Sequence, residues 1–363
     1  MEAMVGPIAQ AFAGKRVLVT GDTGFKGAWL AFWLHRMGAE VHGLALPETG
    51  PETLFARLGL RGIIAHRDGD IRDAATVERV FDEVRPEVVL HLAAQALVRQ
   101  SYRDPVESFS TNVMGSIHVW EATRRHAATV RALINVSSDK CYQNNEWVFA
   151  YRETDRLGGH DPYSASKAAV EVAFSAWSRS FLEAIPSLGF ASVRAGNVIG
   201  GGDFSQDRIV PDIIRALSAD APVVMRNPRS TRPWQHVLEP LSGYLTLASR
   251  FLADPVTDRG VWNFSPDIAS NQPVEAFVQS AIRAWGKGRA EARPDPSAPH
   301  EAGLLSLNSD KACKLLGWRA VWDFETSVQR TMDWYAHVLG GGDVAAITAA
   351  QIEDYERQRK WRP

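Results

Sequence analysis

KRVLVTGDTGFKG, residues 15–27, decides the fold of this chain. Its first half is short and rich in β-branched residues, so it predicts a strand. Gly21, Gly24 and Gly27 follow at GxxGxxG spacing, and the apolar spacing of Ala28–Met37 predicts a helix directly afterwards. Glycine at these places lets the backbone turn tightly and approach a pyrophosphate, with the anion at the helix N-terminus. The stretch therefore predicts the strand, turn and helix of a dinucleotide-binding fold.

The same alternation of strands and helices continues along the chain. Helices are predicted at about 74–84 and 112–125, and further strands at Glu40–Leu46, Ile63–Asp68, Glu87–Leu92 and Ala132–Ser137. Nearly continuous apolar strands are typical of a parallel sheet that is covered on both faces. We therefore predict an α/β protein with a Rossmann-type, doubly wound parallel sheet and a smaller C-terminal substrate-binding region.

The length of the chain and the distribution of glycine and proline along it predict two regions. The chain has 363 residues, of which 45% are apolar, enough for one large domain or two. After about residue 196, glycine and proline cluster and the alternation becomes irregular. We place a nucleotide-binding domain at 1–196 and a mainly substrate-binding region at 197–363, some segments of which return to the first domain. The segment 286–299 is predicted to be an exposed connector.

Charge and cysteine content exclude several classes of partner. A formal net charge of −2 provides no positive field, so we expect neither nucleic acid nor an anionic membrane as a partner. Cys141 and Cys313 form neither a disulfide framework nor a metal-binding spacing, so no metal is expected. The apolar run Ala28–Leu34 is far shorter than the roughly 20 residues of a membrane span. MEAMVGPIAQ lacks the features of a signal peptide, so we predict a cytoplasmic protein with a small ligand.

The choice between NAD and NADP depends on the end of the second strand. A carboxylate that binds the adenosine ribose is expected about 20 residues after the glycines. The strand ends at Leu46 without one, the next carboxylate is Glu48, and no arginine follows to bind a 2′-phosphate. NAD is favoured, and NADP stays open. Asp70, after the third strand, contacts the adenine or is a capping carboxylate of its loop. We also assign to the cofactor site Phe25, Lys26, Ile71, Leu92, Ala93 and Ala94.

Tyr163 and Lys167 stand four residues apart after a proline that can open a helix. This spacing places both side chains on one helical face, where the ammonium can lower the pKa of the phenol and bind a cofactor ribose. Such a pair alone is often a solvated surface. Together with the glycine turn, it predicts that Tyr163 is the acid/base of a hydride transfer.

A second cluster follows the fifth strand at Ser137–Lys140. A hydroxyl, an acid and an amine at the carboxyl edge of the sheet suit oxygen binding, proton donation and proton acceptance. The alternative is a turn with an exposed ion pair. Arginines in Asn227–Val237 could bind a diphosphate or belong to a solvated loop.

Motifs from about Lys15 to Trp318 resemble the nucleotide-sugar 4,6-dehydratases of the extended short-chain dehydrogenase/reductase superfamily. The motifs are GDTGFKG, LHLAAQALVRQSYRDPVESFSTNVMG, NVSSDKCYQNNEW, LGGHDPYSASK, RAGNVIGGGDF, RNPRSTRPWQHVLEPLSGYL and LNSDKACKLLGW. Two of these motifs, SSDKCY and RPWQHVLEPLSGYL, resemble those of the subfamily that acts on CDP-glucose.

The resemblance implies roles for particular residues. The catalytic group would be Ser138, Asp139, Lys140, Tyr163 and Lys167. Gln95 and Asn197 would line the sugar and phosphate pocket, and Arg208 and Arg232 would contact the diphosphate. Asp22 departs from the family, where His is common, and a carboxylate near phosphates is unfavourable unless it points away.

The implied reaction is the NAD-dependent conversion of CDP-glucose to CDP-4-keto-6-deoxyglucose and water. It consists of oxidation at C4, elimination across C5–C6 and hydride return to C6. Lys140 is favoured as the base that removes the proton at C5, although the residues alone do not identify this base. Only the resemblance selects cytosine as the base of the substrate. It also implies a homodimer or higher homo-oligomer, formed through helices near Asn112 and Ala168.

Two other functions fit part of the pattern. A nucleotide-sugar epimerase or 4-reductase would share the glycine turn, Tyr163 and Lys167, but would not need Asp139 and Lys140 to expel a hydroxyl. A non-catalytic dinucleotide-binding regulator could dispense with both clusters, and both are intact.

Overall fold

The computed structural model describes residues 6–206, 208–293 and 303–359, and the chain divides into two units. Unit 1 contains residues 1–143, 153–194 and 241–262. Unit 2 contains residues 144–152, 195–240 and 263–363.

The strands of the described chain form one large sheet and three small ones. They are β1 (Arg16–Thr20), β2 (Glu40–Ala45), β3 (Ala65–Asp68), β4 (Val88–His91), β5 (Ala132–Val136), β6 (Gly189–Ala195), β7 (Val198–Ile199), β8 (Val223–Met225), β9 (Thr231–Pro233), β10 (Gln235–His236), β11 (Gly260–Phe264), β12 (Asn271–Pro273) and β13 (Ala290–Ala292). The large sheet has seven strands in the order β11-β6-β5-β4-β1-β2-β3. Neighbours from β3 to β6 pair in parallel. This order is that of a doubly wound Rossmann sheet, so the predicted fold class is confirmed.

Helices connect the strands and complete both units. They are α1 (Pro7–Phe12), α2 (Phe25–Arg36), α3 (Leu54–Arg57), α4 (Leu60–Ile63), α5 (Ala74–Val84), α6 (Val98–Arg103), α7 (Pro105–Phe109), α8 (Ser116–Arg125), α9 (Pro162–Trp177), α10 (Ile209–Ser218), α11 (Leu238–Ala253), α12 (Val274–Trp285), α13 (Phe324–Leu339) and α14 (Val344–Gln358). Within the described ranges, none of them has both the length and the apolar character that crossing a bilayer requires.

Local signals explain where several helices begin and end. The predicted helix 74–84 is confirmed as α5, because the Asp73 carboxylate accepts the N–H of Ala75 and Arg85 ends the helix in the left-handed region at φ 47°. The predicted helix 112–125 is only partly regular. It consists of α8 preceded by the π-helical segment Ser110–Gly115.

The core of unit 1 lies between the sheet and its helices. One face of α5 buries Val77, Phe81 and Val84 in the same cluster as Trp120 of α8 and Phe174 of α9. Removing each such side chain from water contributes about 1.5–3 kcal/mol. Burial of this size fixes α8 and α9 against the sheet, and α9 carries Tyr163 and Lys167.

Unit 2 is built from short strand pairs and helices. β7 pairs with β10 and β8 with β13 in parallel, whereas β9 and β12 are antiparallel. The prediction of a connector at 286–299 is wrong for 290–292, because these residues form β13 and their backbone pairs with β8. Residues 294–299 lie outside the described ranges.

A buried carboxylate links α11 to the C-terminal part of unit 2. Glu239 accepts the N–H groups of Val321 and Trp322 and the hydroxyl of Tyr355. Burial raises the pKa of Glu239 to about 7, and these donors oppose the increase.

Candidate functional site

The glycine turn lies against the end of β4. Gly21 has a φ of +77°, and a Cβ there would come within 2.7 Å of the backbone nitrogen of Ala93. A Cβ on Gly27 would overlap the carbonyl oxygen of Gly21. The turn therefore requires glycine at both positions, and it brings Leu92 and Ala93 beside the start of α2.

The N-terminus of α2 is suited to an anion. The helix begins at Phe25, three residues before the predicted start, because extended Gly24 serves as its N-cap. No side chain caps the helix, and no acidic residue lies in its first turn. A helix N-terminus of this kind can hold a pyrophosphate through its first N–H groups.

Asp22, the departure within the glycine motif, is turned into the protein. Its side chain is fully buried and its Oδ2 lies 2.6 Å from Nδ1 of His66. Gly43 leaves room for this carboxylate, because a Cβ there would overlap it. Burial would lower the pKa of His66, but the hydrogen bond and the charge of Asp22 outweigh burial and raise it. The negative charge of Asp22 is thus compensated by His66.

An ion-pair cluster occupies the end of β2 and β3. Arg61 donates to Glu48 at 2.5 Å and to Asp68 at 3.1 Å. Arg61 lowers the pKa of both carboxyls. The sequence did not identify Arg61 as a partner of these carboxylates, because Arg61 lies 13 residues beyond Glu48 in a segment expected to be a loop. This segment contains α4, and Arg61 lies within that helix.

Other residues assigned to the cofactor site have partners within unit 1. Both carboxylate oxygens of Asp70 are bound by Arg72, through its backbone and its side chain. The Ile71 carbonyl accepts from His118 at 2.9 Å. Lys26 donates to the hydroxyl of Tyr244 at 3.1 Å, and Ala94 is half-buried in the loop after β4.

The acid of the second cluster lies in a 3₁₀ turn, Asp139–Cys141, that follows β5. Ser138 caps this turn, and its Oγ donates to Oδ1 of Asp139 at 3.0 Å. Lys140 Nζ lies 3.7 Å from the same oxygen, with 29% of its side chain exposed. Asp139 is 2% exposed, and its Oδ2 has no hydrogen-bond partner within the described chain. A buried carboxyl with one free oxygen is prepared to exchange a proton with a ligand.

Tyr163 and Lys167 lie in the first half of α9. The helix begins where Asp161 accepts the N–H of Ser164, with Pro162 at the first position. Both side chains are buried on one face, and the turn Asp139–Cys141 packs against α9. Burial lowers the pKa of Lys167 to about 8, although Glu171 opposes the shift. The turn that carries the predicted acid therefore packs against the helix that carries the predicted Tyr-Lys pair.

The residues predicted to bind substrate fall in both units. In unit 1, the Gln95 amide donates to Ser108 and accepts from Leu97. In unit 2, Asn197 has a buried Oδ1 without a partner among the described residues. Arg208 donates to Asp203, and buried Arg232 donates to the carbonyl of Thr231.

Two buried groups behind the turn were missed in the sequence. Glu171 of α9 and Arg194 of β6 form an ion pair at 2.7 Å. Glu171 follows Lys167 by four residues, so helical spacing was a usable signal for it. Arg194 carried no such signal, because only the sheet brings β6 beside α9.

Comparison with known proteins places this architecture in a family. Residues 18–331 match the family model described as GDP-mannose 4,6 dehydratase. The CDP-glucose 4,6-dehydratase of Salmonella typhimurium is 43% identical over 346 residues, which are 94% of this chain and 96% of that protein. The UDP-glucose 4-epimerase of Thermus thermophilus, solved in complex with NAD, is 27% identical with a TM-score of 0.74, covering 88% of this chain and 98% of that one. The chain therefore belongs to the GDP-mannose 4,6 dehydratase family, which confirms the resemblance to nucleotide-sugar 4,6-dehydratases.

Proposed function

We propose that this protein is an NAD-dependent hydro-lyase that converts CDP-glucose to CDP-4-keto-6-deoxyglucose and water. The 43% identity with a CDP-glucose 4,6-dehydratase over nearly the whole chain supports the substrate. The observation that carries the reaction type is Asp139, a buried acid with one unpartnered oxygen in a turn packed against the helix of Tyr163 and Lys167.

The glycine turn fits the pyrophosphate of NAD. The start of α2 offers uncapped N–H groups, and the Asp22 carboxylate is turned toward His66 instead of toward the helix N-terminus. Lys167 is buried, and its ammonium makes no hydrogen bond to another described residue, so it can donate to a ribose hydroxyl. When bound, NAD accepts the hydride from C4 of the sugar and later supplies it to C6.

The first chemical step needs a base at the 4-hydroxyl. Tyr163, as phenolate supported by the Lys167 ammonium, takes the proton of this hydroxyl as C4 is oxidised to a ketone. Ser138 holds the oxygen at C4. All three residues are buried.

Elimination follows because the 4-keto group acidifies the proton at C5. We assign the removal of this proton to Lys140 in its neutral amine form, with its Nζ 3.7 Å from Oδ1 of Asp139. Asp139 gives its proton to the 6-hydroxyl, which leaves as water. Hydride return to C6 and protonation of C5 complete the product and need no external reductant.

Substrate binding is assigned to four residues. Gln95 and Asn197 would line the sugar and phosphate pocket, and Arg208 and Arg232 would contact the diphosphate. Arginine suits a diphosphate because its guanidinium binds two oxygens at once. We keep 1–196 as the nucleotide-binding domain and 197–363 as the mainly substrate-binding region.

The proposal is tested by incubating purified protein and NAD with CDP-, UDP-, dTDP- and GDP-hexoses. We expect CDP-glucose to lose one water by mass and to form a keto sugar. An epimerase would return an isomer of unchanged mass, and this outcome would exclude a dehydratase. NAD binding without conversion of any hexose would instead indicate a regulator.

We also propose that the protein acts in the cytoplasm as a homodimer or higher homo-oligomer. Exposed apolar side chains support self-association: Val106, Phe109, Met114, Val172 and Phe181 on the helices between Pro105 and Leu182. We expect analytical ultracentrifugation to give at least twice the monomer mass, and cell fractionation to recover the protein with cytoplasmic markers. A monomer at working concentration would contradict the first part.

A further inference from the structure

We propose that the buried Glu171–Arg194 ion pair is a positioning device of the catalytic site, in which Glu171 supports the Lys167 ammonium and Arg194 fixes the turn that carries Asp139. The proposal rests on the proposed function for the roles of Lys167 and Asp139. Neither member of the pair is assigned to contact substrate or cofactor.

Helical geometry connects Glu171 to the catalytic residues. Tyr163, Lys167 and Glu171 are spaced by four residues along α9, so they lie one above the other on one face. All three are buried, and Glu171 is only 2% exposed. The Glu171 carboxylate is therefore the anion one helical turn from Lys167, in an environment where solvent screens little.

The position of Glu171 is fixed from two sides. Its Oε2 accepts from Arg194 at 2.7 Å, and its Oε1 accepts from the hydroxyl of Ser192 at 2.8 Å. Ser192 in turn accepts from the amide of Asn135 at 3.1 Å. Burial would raise the pKa of Glu171, but the charge and hydrogen bond of Arg194 and the hydrogen bond of Ser192 outweigh it, so the carboxyl stays ionised. The Glu171 carboxylate is therefore ionised and held in a fixed position.

Arg194 connects the same pair to the turn of Asp139. Its Nη1 donates to the hydroxyl of Tyr142 at 2.6 Å, and its guanidinium lies over the Tyr142 ring, 4.8 Å from the centroid. Tyr142 directly follows the turn Asp139–Cys141. The buried thiol of Cys141 is within electrostatic range of Arg194, Glu171 and Asp139. One ion pair therefore supports both halves of the site.

The test is the pH dependence of turnover and, independently, of NAD affinity. Burial lowers the pKa of Lys167 to about 8, so loss of its proton should produce the alkaline decline of both quantities. Glu171→Gln removes the charge that opposes this loss. We therefore expect the midpoint of each decline to shift to lower pH by about one unit. Glu171→Asp retains the charge, so the midpoints of both declines should stay at the pH values of the parent, even if the maximal rate falls.

Control variants distinguish a shifted pH dependence from a loss of folding. Glu171→Gln leaves Arg194 uncompensated, so the double variant Glu171→Gln with Arg194→Gln removes both charges and should show a smaller shift than Glu171→Gln alone. Asp258→Asn, which breaks the Arg250–Asp258 pair of unit 1, should move neither decline. Thermal melting identifies variants that fail to fold.

Two outcomes separate this inference from the function on which it rests. A folded Glu171→Gln variant whose declines coincide with those of the parent overturns the role of the pair. A parent that converts no CDP-glucose overturns the proposed function, while the pH dependence of NAD affinity still reports on Glu171 and Lys167.

Discussion

Asp139→Asn is expected to eliminate water about 10³-fold more slowly than the parent while it still oxidises CDP-glucose at C4. The amide keeps the shape of the side chain and its contact with Ser138, but it has no proton to give to the departing 6-hydroxyl. Tyr163 and Lys167 lie on another element, α9, so the preceding oxidation should continue. The expected signature is therefore an enzyme that stops between its two half-reactions.

Deuterium exchange detects this state. In deuterated water, the variant should return CDP-glucose with deuterium at C5, because the 4-keto sugar loses and regains that proton before hydride returns to C4. The rate of water loss is measured by mass in the same samples. Elimination at the parental rate would show that another group is the acid, and loss of exchange together with elimination would place Asp139 in the oxidation step.

A matched substitution controls for the change of Asp to Asn itself. Asp73 is exposed and caps α5 by accepting the N–H of Ala75. Asn caps a helix about as well as Asp, so Asp73→Asn should leave folding and turnover unchanged.

The sequence predicted the parts of the site whose determinants are local. The glycine turn needs a strand before it and a helix after it, and Tyr163 with Lys167 needs only a helix. The orientation of Asp22 was not predictable in this way. It depends on His66, 44 residues later and two strands away in the sheet.

Unit 2 was less predictable for a different reason. Its strands have two or three residues, as in β7, β10 and β13, and so few residues cannot display a period. Strand pairing across long separations determines them, such as Val223 with Ala290. Arg194 and Arg61 follow the same rule, because tertiary structure and not sequence spacing gives them their partners.

Tyr163→Phe is expected to reduce the conversion of CDP-glucose roughly 10³- to 10⁴-fold, the largest loss among these variants. The substitution removes one oxygen from a side chain that is 7% exposed, so the ring still fills its place. Without the phenol, no group is assigned to take the proton of the 4-hydroxyl, and oxidation at C4 cannot begin. Every later step depends on the ketone, so elimination and deuterium exchange at C5 should both disappear.

Cofactor binding separates this result from a general loss of structure. The glycine turn and Lys167 are unchanged in Tyr163→Phe, so NAD affinity and its alkaline decline should stay near those of the parent. Tyr102, 42% exposed on α6, provides a control in which Tyr102→Phe retains turnover. Exchange at C5 that continues at the parental rate in Tyr163→Phe would show that a different base starts the reaction. Because Asp139→Asn keeps this exchange and Tyr163→Phe loses it, the two variants together determine the order of oxidation and elimination.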